Sequence, residues 1–414
     1  MIQSKEKFYY QCVNCGKTYS SREVSYLCPD CSALTHSGEP PRGVLKVLYP
    51  YNEIKKRNPD FNMLKSKGFL DLLPIRSLES FPSLRVGDTP LYRIKRLDNK
   101  PLLVDLFIKD DSQNPTYSFK DRASALVSAF AKERDIETII AASTGNAGSS
   151  LAGICASQNQ KAIIVVPEKA PLAKLTQILM YGAKIVPVKG TYDDAFDLSI
   201  EATREFGWYN RNTAFNPLTI EGKRSVAFEL YIQLGEKVPD RIFVPVGDGV
   251  ILSGVYKGFE DLLELGYIDR LPVMVAVQSA GSDNLIRNVS STVFKIKESR
   301  TVADSISVDI PRNFYMTKQF IQKYEGEMLS VSDEAILEAS RCLSPNTGLF
   351  AEPAAAAAFA GFLDYLENDR MEPGSVNVVL STGSGLKDLQ SVQHKISLPH
   401  AIEPTLKQLK KLVF

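Results

Sequence analysis

The stretch Thr138-Ile-Ile-Ala-Ala-Ser-Thr-Gly-Asn-Ala-Gly-Ser-Ser-Leu-Ala-Gly-Ile-Cys-Ala156 decides the fold. Its first five residues form a short run containing two isoleucines and no charge, the pattern of a strand buried on both faces. A turn of small and hydroxyl residues follows, and Ala147 to Ala156 then offers the small side chains of a closely packed helix. The same rhythm recurs in both directions. Leu102–Ile108, Ala162–Val166, Lys184–Val188, Arg241–Val246, Val273–Val277 and Val376–Leu380 read as strands, and Pro171–Tyr181 as a helix. Short apolar strands separated by helices predict an α/β fold whose parallel sheets are covered on both faces. Residues 131–212 hold a complete alternation of their own. They read as a smaller α/β unit inserted into a larger one made of residues 41–130 and 213–414, with the cleft between them as the place for a ligand. The alanine-only run Ala354–Ala358 is helix filler for a tight packing point.

Ahead of these units stand residues 1–40, closed by the breaker cluster Ser37-Gly-Glu-Pro-Pro41. Here Cys12-x2-Cys15 and Cys28-x2-Cys31 lie twelve residues apart. Two CxxC pairs this close, with no secretion signal, predict a zinc-ribbon-like knuckle rather than two unrelated pairs or a redox motif. Four thiolates leave a tetrahedral Zn²⁺ no open position, so its role would be structural. Cys155 and Cys342 stand alone and read as buried small hydrophobes.

The bulk numbers exclude several classes of function. Of 414 residues, 49 are basic and 48 acidic, a net charge of +1, so no single-signed surface is offered to nucleic acid or to an anionic membrane. The most apolar stretch, Ala351–Leu363, is too short to span a bilayer and contains Glu352 and Pro353. No apolar signal segment follows Met1–Lys7, and a cytoplasmic location is expected. Lys407–Lys411 interleaves with leucine and reads as the solvated face of a last helix.

Four motifs fall at the ends of the expected strands. Asn114-Pro-Thr-Tyr-Ser-Phe-Lys120-Asp-Arg122 precedes a helix expected to begin near Ala123. A helix start favours anions, so a lysine there has a reason to be uncharged, as an imine-forming amine must be; taken alone, the motif reads better as a surface lysine in a Lys-Asp-Arg turn. Ser143-Thr-Gly-Asn-Ala-Gly-Ser149 has the small residues and hydroxyls that cradle a carboxylate. Pro245-Val-Gly-Asp-Gly-Val-Ile251 has the form of a phosphate loop at a helix start, without the Lys-Ser/Thr of a nucleotide site. Asp248 within it is awkward, because a carboxylate facing a phosphate repels it. Ser381-Thr-Gly-Ser-Gly-Leu-Lys-Asp388 places a hydroxyl where it can meet a ring nitrogen.

The ordered set is far more specific than its members. It resembles the fold-type II pyridoxal-phosphate enzymes, and within them the threonine synthase family. Gly87-Asp-Thr-Pro-Leu91, Asn114–Arg122, Glu221-Gly-Lys-Arg224, Phe350-Ala-Glu-Pro353 and Thr382-Gly-Ser-Gly-Leu-Lys387 all have counterparts there. The resemblance covers residues 85–390 and implies two αβα domains with the cofactor in the cleft. It implies that Lys120 carries pyridoxal 5'-phosphate as a Schiff base and later moves protons, with Phe119 beside the ring. It gives Asn146 to the phenolic oxygen, Thr382 to the pyridine nitrogen, and the backbone of Gly247, Asp248, Gly249, Val250 and Ile251 to the cofactor phosphate. Ser143, Thr144 and Gly145 would hold the substrate carboxylate.

The implied reaction turns O-phospho-L-homoserine and water into L-threonine and phosphate, with a small-molecule amino acid as substrate and a homodimer as the expected assembly. This chain departs from the family pattern at Tyr117, at Ser384 and at Thr219. At the last, many members carry an arginine that helps bind the substrate's phosphate. Losing that fork weakens a charge-assisted contact unless Arg211, Lys223 or Arg224 replaces it. Two rivals remain open. One is β-replacement or β-elimination on a serine-like or phosphoserine-like amino acid, as in cysteate synthase or ammonia-lyases. The other is a non-catalytic protein that keeps the fold, against which an intact Lys120 speaks.

Overall fold

The computed structural model describes residues 6–393, 396 and 398–413. Its strands fall into three sheets. Strands β1 (Tyr9–Cys12), β2 (Thr18–Ser20) and β3 (Leu45–Leu48) make a small antiparallel sheet in the order β2-β1-β3. The hairpin β4 (Leu91–Leu97) and β5 (Lys100–Asp110) then opens a larger sheet. Strands β6 (Thr138–Ala142), β7 (Lys161–Pro167), β8 (Lys184–Val188) and β9 (Tyr209–Asn210) form a four-stranded parallel sheet, ordered β8-β7-β6-β9. The chain then returns to the large sheet with β10 (Arg241–Pro245), β11 (Val273–Ser279), β12 (Glu327–Val331) and β13 (Val376–Ser381), giving β12-β11-β10-β13-β5-β4. Every pairing in it is parallel except β4–β5.

The side chains explain this order. Ile242 to Pro245 and Met274 to Val277 are buried, so β10 and β11 occupy the middle, where no face meets water. At the edge, β4 is Leu-Tyr-Arg-Ile-Lys-Arg-Leu with exposed Arg93, Lys95 and Arg96 and a register shift between Ile94 and Arg96. Charge and irregularity there block pairing with another chain. The strands β4 and β12 escape the reading from sequence because their charged or polar residues break the apolar run. Against the large sheet lies the helix Pro353–Glu367, whose five successive alanines are all buried. Its Gly361 approaches β11 so closely that a Cβ there would stand 2.5 Å from Val277 Cγ2.

Cys155 is buried as expected, whereas Cys342 is half-buried. The last helix, Leu406–Val413, is present, but its leucines are as exposed as its lysines. No helix among the described residues is long and apolar enough to cross a membrane.

Candidate active site

The helix that carries the reactive lysine candidate runs Lys120–Lys132, so it begins three residues before the expected Ala123 and puts Lys120 in its first turn. The loop before it is clamped from several sides. Thr116 donates to the Asp121 carboxylate from its backbone N–H at 2.7 Å and from its hydroxyl at 2.5 Å. Phe119 N–H donates to Thr382 O at 2.9 Å, and Ser384 N–H to Tyr117 O at 3.1 Å, which stitches the lysine loop to the loop after β13. Gly87 N–H donates to Asn114 Oδ1, docking the Gly87–Leu91 segment on the same loop. Arg122 anchors the helix from below through Asp111 at 2.6 Å and Glu229 at 2.5 Å. With both ends of the loop held, the Lys120 amine is placed by the fold rather than by its own contacts.

Lys120 is half-buried. Burial pulls its amine below the usual lysine range; Glu352 opposes that, while Arg211 adds to it and Asp248 opposes it. Those three neighbours show which parts of the chain converge on Lys120. Asn146 starts the helix Asn146–Ser157, and its Nδ2 donates to both Glu352 oxygens, at 2.9 and 3.0 Å, and to Ser305 Oγ at 3.2 Å. The turn of Ser143, Thr144 and Gly145 stands half-buried just ahead of it, with Gly145 N–H donating to Ser143 Oγ.

Beyond β10, the loop Gly247–Gly249 leads into the helix Val250–Glu264. Gly249 has φ +84°, and a Cβ on it would fall 2.2 Å from Thr317 Oγ1; one on Gly247 would fall 2.9 Å from Ile306 Cα. Glycines are therefore obligatory in this cradle, and the opening N–H groups of the helix are free for an anion. The awkward Asp248 is resolved. Its carboxylate accepts the backbone N–H of Arg312 at 2.9 Å, which ties the loop to its neighbour segment. Burial raises its pKa, and Arg312 leads the groups that oppose this.

Glu352 is the residue to which the reading from sequence gave no role. It lies in Phe350-Ala-Glu-Pro353, is 3% exposed, and has its pKa raised by burial against the opposing pull of Lys120 and Asn146. Gly383 must be glycine beside it, since a Cβ there would stand 2.4 Å from Glu352 Oε1. A buried glutamate ahead of a proline was the available signal. Thr382 is buried one residue earlier, with its carbonyl on Phe119. Lys387 reaches across to Thr116 O and Ser149 Oγ, both at 2.9 Å.

Three basic residues were possible replacements for an arginine at position 219. Thr219 itself turns inward: its hydroxyl donates to Asn216 O at 2.7 Å and accepts the Ala214 N–H at 3.2 Å. Arg224 is held in ion pairs, with Glu221 at 2.5 Å and with Asp261. Arg211 and Lys223 are each 1% exposed and make no ion pair among the described residues. They are electrostatic neighbours of each other and of Lys120.

At the N-terminus, Cys12, Cys15, Cys28 and Cys31 gather with all four sulfurs within 4.8 Å of one another. The turn is closed by Gly16 N–H to Cys12 O at 2.9 Å, and the Tyr19 hydroxyl lies 3.0 Å from Cys28 Sγ. The knuckle packs back on the body of the protein: Tyr26 stacks on Phe215 at 4.5 Å, and its hydroxyl accepts the Asn210 N–H.

An amine at a helix start, a glycine cradle at a second helix start and a polar turn at a third define the class of pyridoxal-phosphate enzymes. The model of the family described as pyridoxal-phosphate dependent enzyme matches residues 82–383. Among solved structures, threonine deaminase isoform 2 from Solanum lycopersicum shares the fold with a TM-score of 0.67 and 22% identity, over 83% of this chain and 96% of that one. The chain is 34% identical to the threonine synthase of Methanocaldococcus jannaschii over 97% of its length and 98% of that protein's. It is 33% identical to the threonine synthase of Methanosarcina acetivorans over 98% and 99%. The chain belongs to the threonine synthase family of pyridoxal-phosphate-dependent enzymes.

Proposed function

We propose that the protein converts O-phospho-L-homoserine and water to L-threonine and phosphate. The observation that carries this reading is the end-to-end similarity to proteins named threonine synthase. The residues present fit the cofactor: a half-buried lysine amine in the first turn of a helix, and a glycine cradle that any Cβ would fill, opening on the N–H groups of a helix start. Lys120 would hold pyridoxal phosphate covalently, with Phe119 beside the ring. Gly247, Asp248, Gly249, Val250 and Ile251 would present backbone N–H groups to its phosphate, Asn146 its amide to the phenolic oxygen, and Thr382 its hydroxyl to the ring nitrogen. Bound there, the cofactor supplies an electron sink for charge left on the substrate when protons are lost at Cα and then Cβ.

The remaining work falls to the chain's own groups. Ser143, Thr144 and Gly145 fix the substrate carboxylate at the start of the Asn146 helix. Lys120 Nζ takes and returns protons; burial lowers its affinity for a proton, which favours the base form needed for the first step. Glu352 positions Asn146 by accepting both hydrogen bonds from its amide. The buried basic groups Arg211 and Lys223, which make no ion pair among the described residues, favour a phosphate-bearing substrate over serine. An assay of the holoenzyme on O-phospho-L-homoserine, O-phospho-L-serine and L-serine, following phosphate and ammonia, tests the reading. Threonine and phosphate in equal amounts from the first substrate is the expected result. Ammonia release from serine with no use of phosphohomoserine would replace it with the elimination reading.

We infer further that Cys12, Cys15, Cys28 and Cys31 hold one structural Zn²⁺. Zn–S bonds of about 2.3 Å in a tetrahedron set the sulfurs roughly 3.8 Å apart, and Cys15 Sγ lies 3.9 Å from Cys28 Sγ. Metal analysis should give one zinc per chain. Cys15→Ser should lower Tm and leave kcat unchanged; a lowered kcat at unchanged Tm would assign the metal a part in the reaction.

A further inference from the structure

Arg211 is among the largest fully buried side chains of the protein, and its guanidinium is incompletely used. Nε donates to Ser124 Oγ at 3.2 Å and Nη1 to Thr213 Oγ1 at 3.4 Å, while Nη2 has no partner. Ser124 lies one helical turn beyond Lys120, so the guanidinium rests over the face of the helix that carries the reactive amine. Lys223 supplies the second basic group. Its Nζ donates to Thr219 O at 3.0 Å, while burial, with Arg211 and Lys120 beside it, pulls its pKa well below the usual lysine range, so an arriving anion would restore its charge. Its charged neighbours are Arg211, Lys120 and Asp248. The one anion among them, Asp248, already accepts a backbone N–H. Burying cations without carboxylate partners is costly, and a ligand anion removes that cost.

The two positions say which anion. The cofactor's phosphate is provided for by the glycine cradle after β10. Arg211 instead follows β9, and its backbone N–H donates to Ile140 O at 2.8 Å on the neighbouring β6. That strand runs straight on into Ser143, Thr144 and Gly145. The carboxylate turn and the guanidinium thus stand at the same end of adjacent parallel strands, as an amino acid with an anionic side chain requires.

We propose that Arg211 and Lys223 together receive the side-chain phosphate of the substrate, replacing a guanidinium at position 219 with one donated from β9 and an ammonium held by the Thr219 carbonyl. This rests on the functional reading above. The substrate class is a phosphate monoester on an amino-acid side chain, bound through its carboxylate at one end and its phosphate at the other.

The test uses wild-type and Arg211→Gln holoenzyme, with O-phospho-L-homoserine as substrate and inorganic phosphate as competitor. Hydrogen bonds to charged groups predict a KM raised by roughly 10- to 150-fold, with the inhibition constant for phosphate raised in parallel. Affinity of the apoenzyme for pyridoxal phosphate, read from the cofactor's absorbance, should not change. Adding Thr219→Arg to Arg211→Gln should recover part of the loss. Lys223→Gln should act in the same direction, and it serves as the test if Arg211→Gln does not fold. Unchanged KM and phosphate inhibition would overturn the proposal. So would a loss confined to cofactor affinity, which would give the pair to the cofactor's phosphate. A wild-type enzyme that ignores phosphohomoserine defeats the functional reading instead, and phosphate binding that depends on Arg211 would then still decide whether the anion site exists.

Discussion

Arg211 and Arg224 lie thirteen residues apart, are equally buried, and live in opposite surroundings. Arg224 sits between Glu221 and Asp261, with the Tyr49 ring 5.0 Å and the Phe228 ring 5.2 Å from its centre. Burial works against its charge, and the Glu221 carboxylate, Tyr49 and Asp261 outweigh burial, so its pKa rises. Arg211 has only hydroxyl partners, and burial pulls it down to about 10 against weaker opposition from Tyr192 and Asp121. The same residue type therefore does two jobs. A buried cation with carboxylates on it is part of the scaffold, and one with neutral partners and a spare donor is waiting for an anion. The rule sorts the rest of the interior. Arg122, paired with Asp111 and Glu229, belongs with Arg224. Lys120 and Lys223 belong with Arg211.

The largest effect that sharpens this contrast is on turnover. Lys120→Ala removes the amine that the chemistry needs, and general acid–base assistance alone is worth about 10²- to 10⁴-fold. Turnover should fall by at least that much while the thermal transition of the apoprotein stays where it was. Retained activity, or mass spectrometry placing the cofactor adduct on another lysine, would remove Lys120 from its role.

Next comes stability. Arg224→Met leaves Glu221 and Asp261 as buried carboxylates short of a partner, and breaking such a pair costs roughly 3–5 kcal/mol. Arg211→Met in the apoprotein removes a charge that has no carboxylate to leave behind. Its Tm should match or exceed that of the wild type, although it loses the contacts to Ser124 and Thr213. Differential scanning calorimetry on the two variants tests the contrast directly. Equal losses of Tm would mean that Arg211 is scaffold as well.

This division explains what could and could not be read from the chain. The four loops were legible as loops at strand ends because their signals are local: glycines where a Cβ would collide, small and hydroxyl residues in the turns, and a strand before each. Gly249 with Thr317 behind it, and Gly383 against Glu352, are the collisions such glycines avoid. Arg211 was legible only as one of three candidates for the phosphate, beside Lys223 and Arg224. Nothing in Tyr-Asn-Arg-Asn-Thr separates it from the other two, and only the pairing of β9 with β6 brings it to the strand end that leads into Ser143. Nor was the start of the Lys120 helix placed correctly, because Asp121 and Arg122 look like a polar turn. Their partners, Thr116 on one side and Asp111 with Glu229 on the other, turn them into buried helix. Partnership across long sequence separations decides between scaffold and site, and a single sequence does not display it.

Lys387 is the intermediate case, and it yields the smallest predicted effect. Among the described residues its ammonium donates to Thr116 O and Ser149 Oγ alone, and burial lowers its pKa to about 8, with Glu352 and Asp121 opposing. An unfolded lysine titrates near ~10.4. Below pH 8 both states hold the proton, and the cost of burying the charge is present in full. Between about 8 and ~10.4 the unfolded chain holds more protons than the folded one, so stability rises with pH over that window and then levels off. The gain is on the order of 1–3 kcal/mol, since each tenfold change in proton affinity is worth ~1.4 kcal/mol. Lys387→Met has no such proton to release. Urea midpoints of the apoprotein at pH 7.5, 8.5 and 9.5 should therefore climb for the wild type relative to the variant. A constant difference across that range would mean that the charge on Lys387 is carried into the fold at no cost, by Glu352 or Asp121 acting as a true partner, and would move it from the site group to the scaffold.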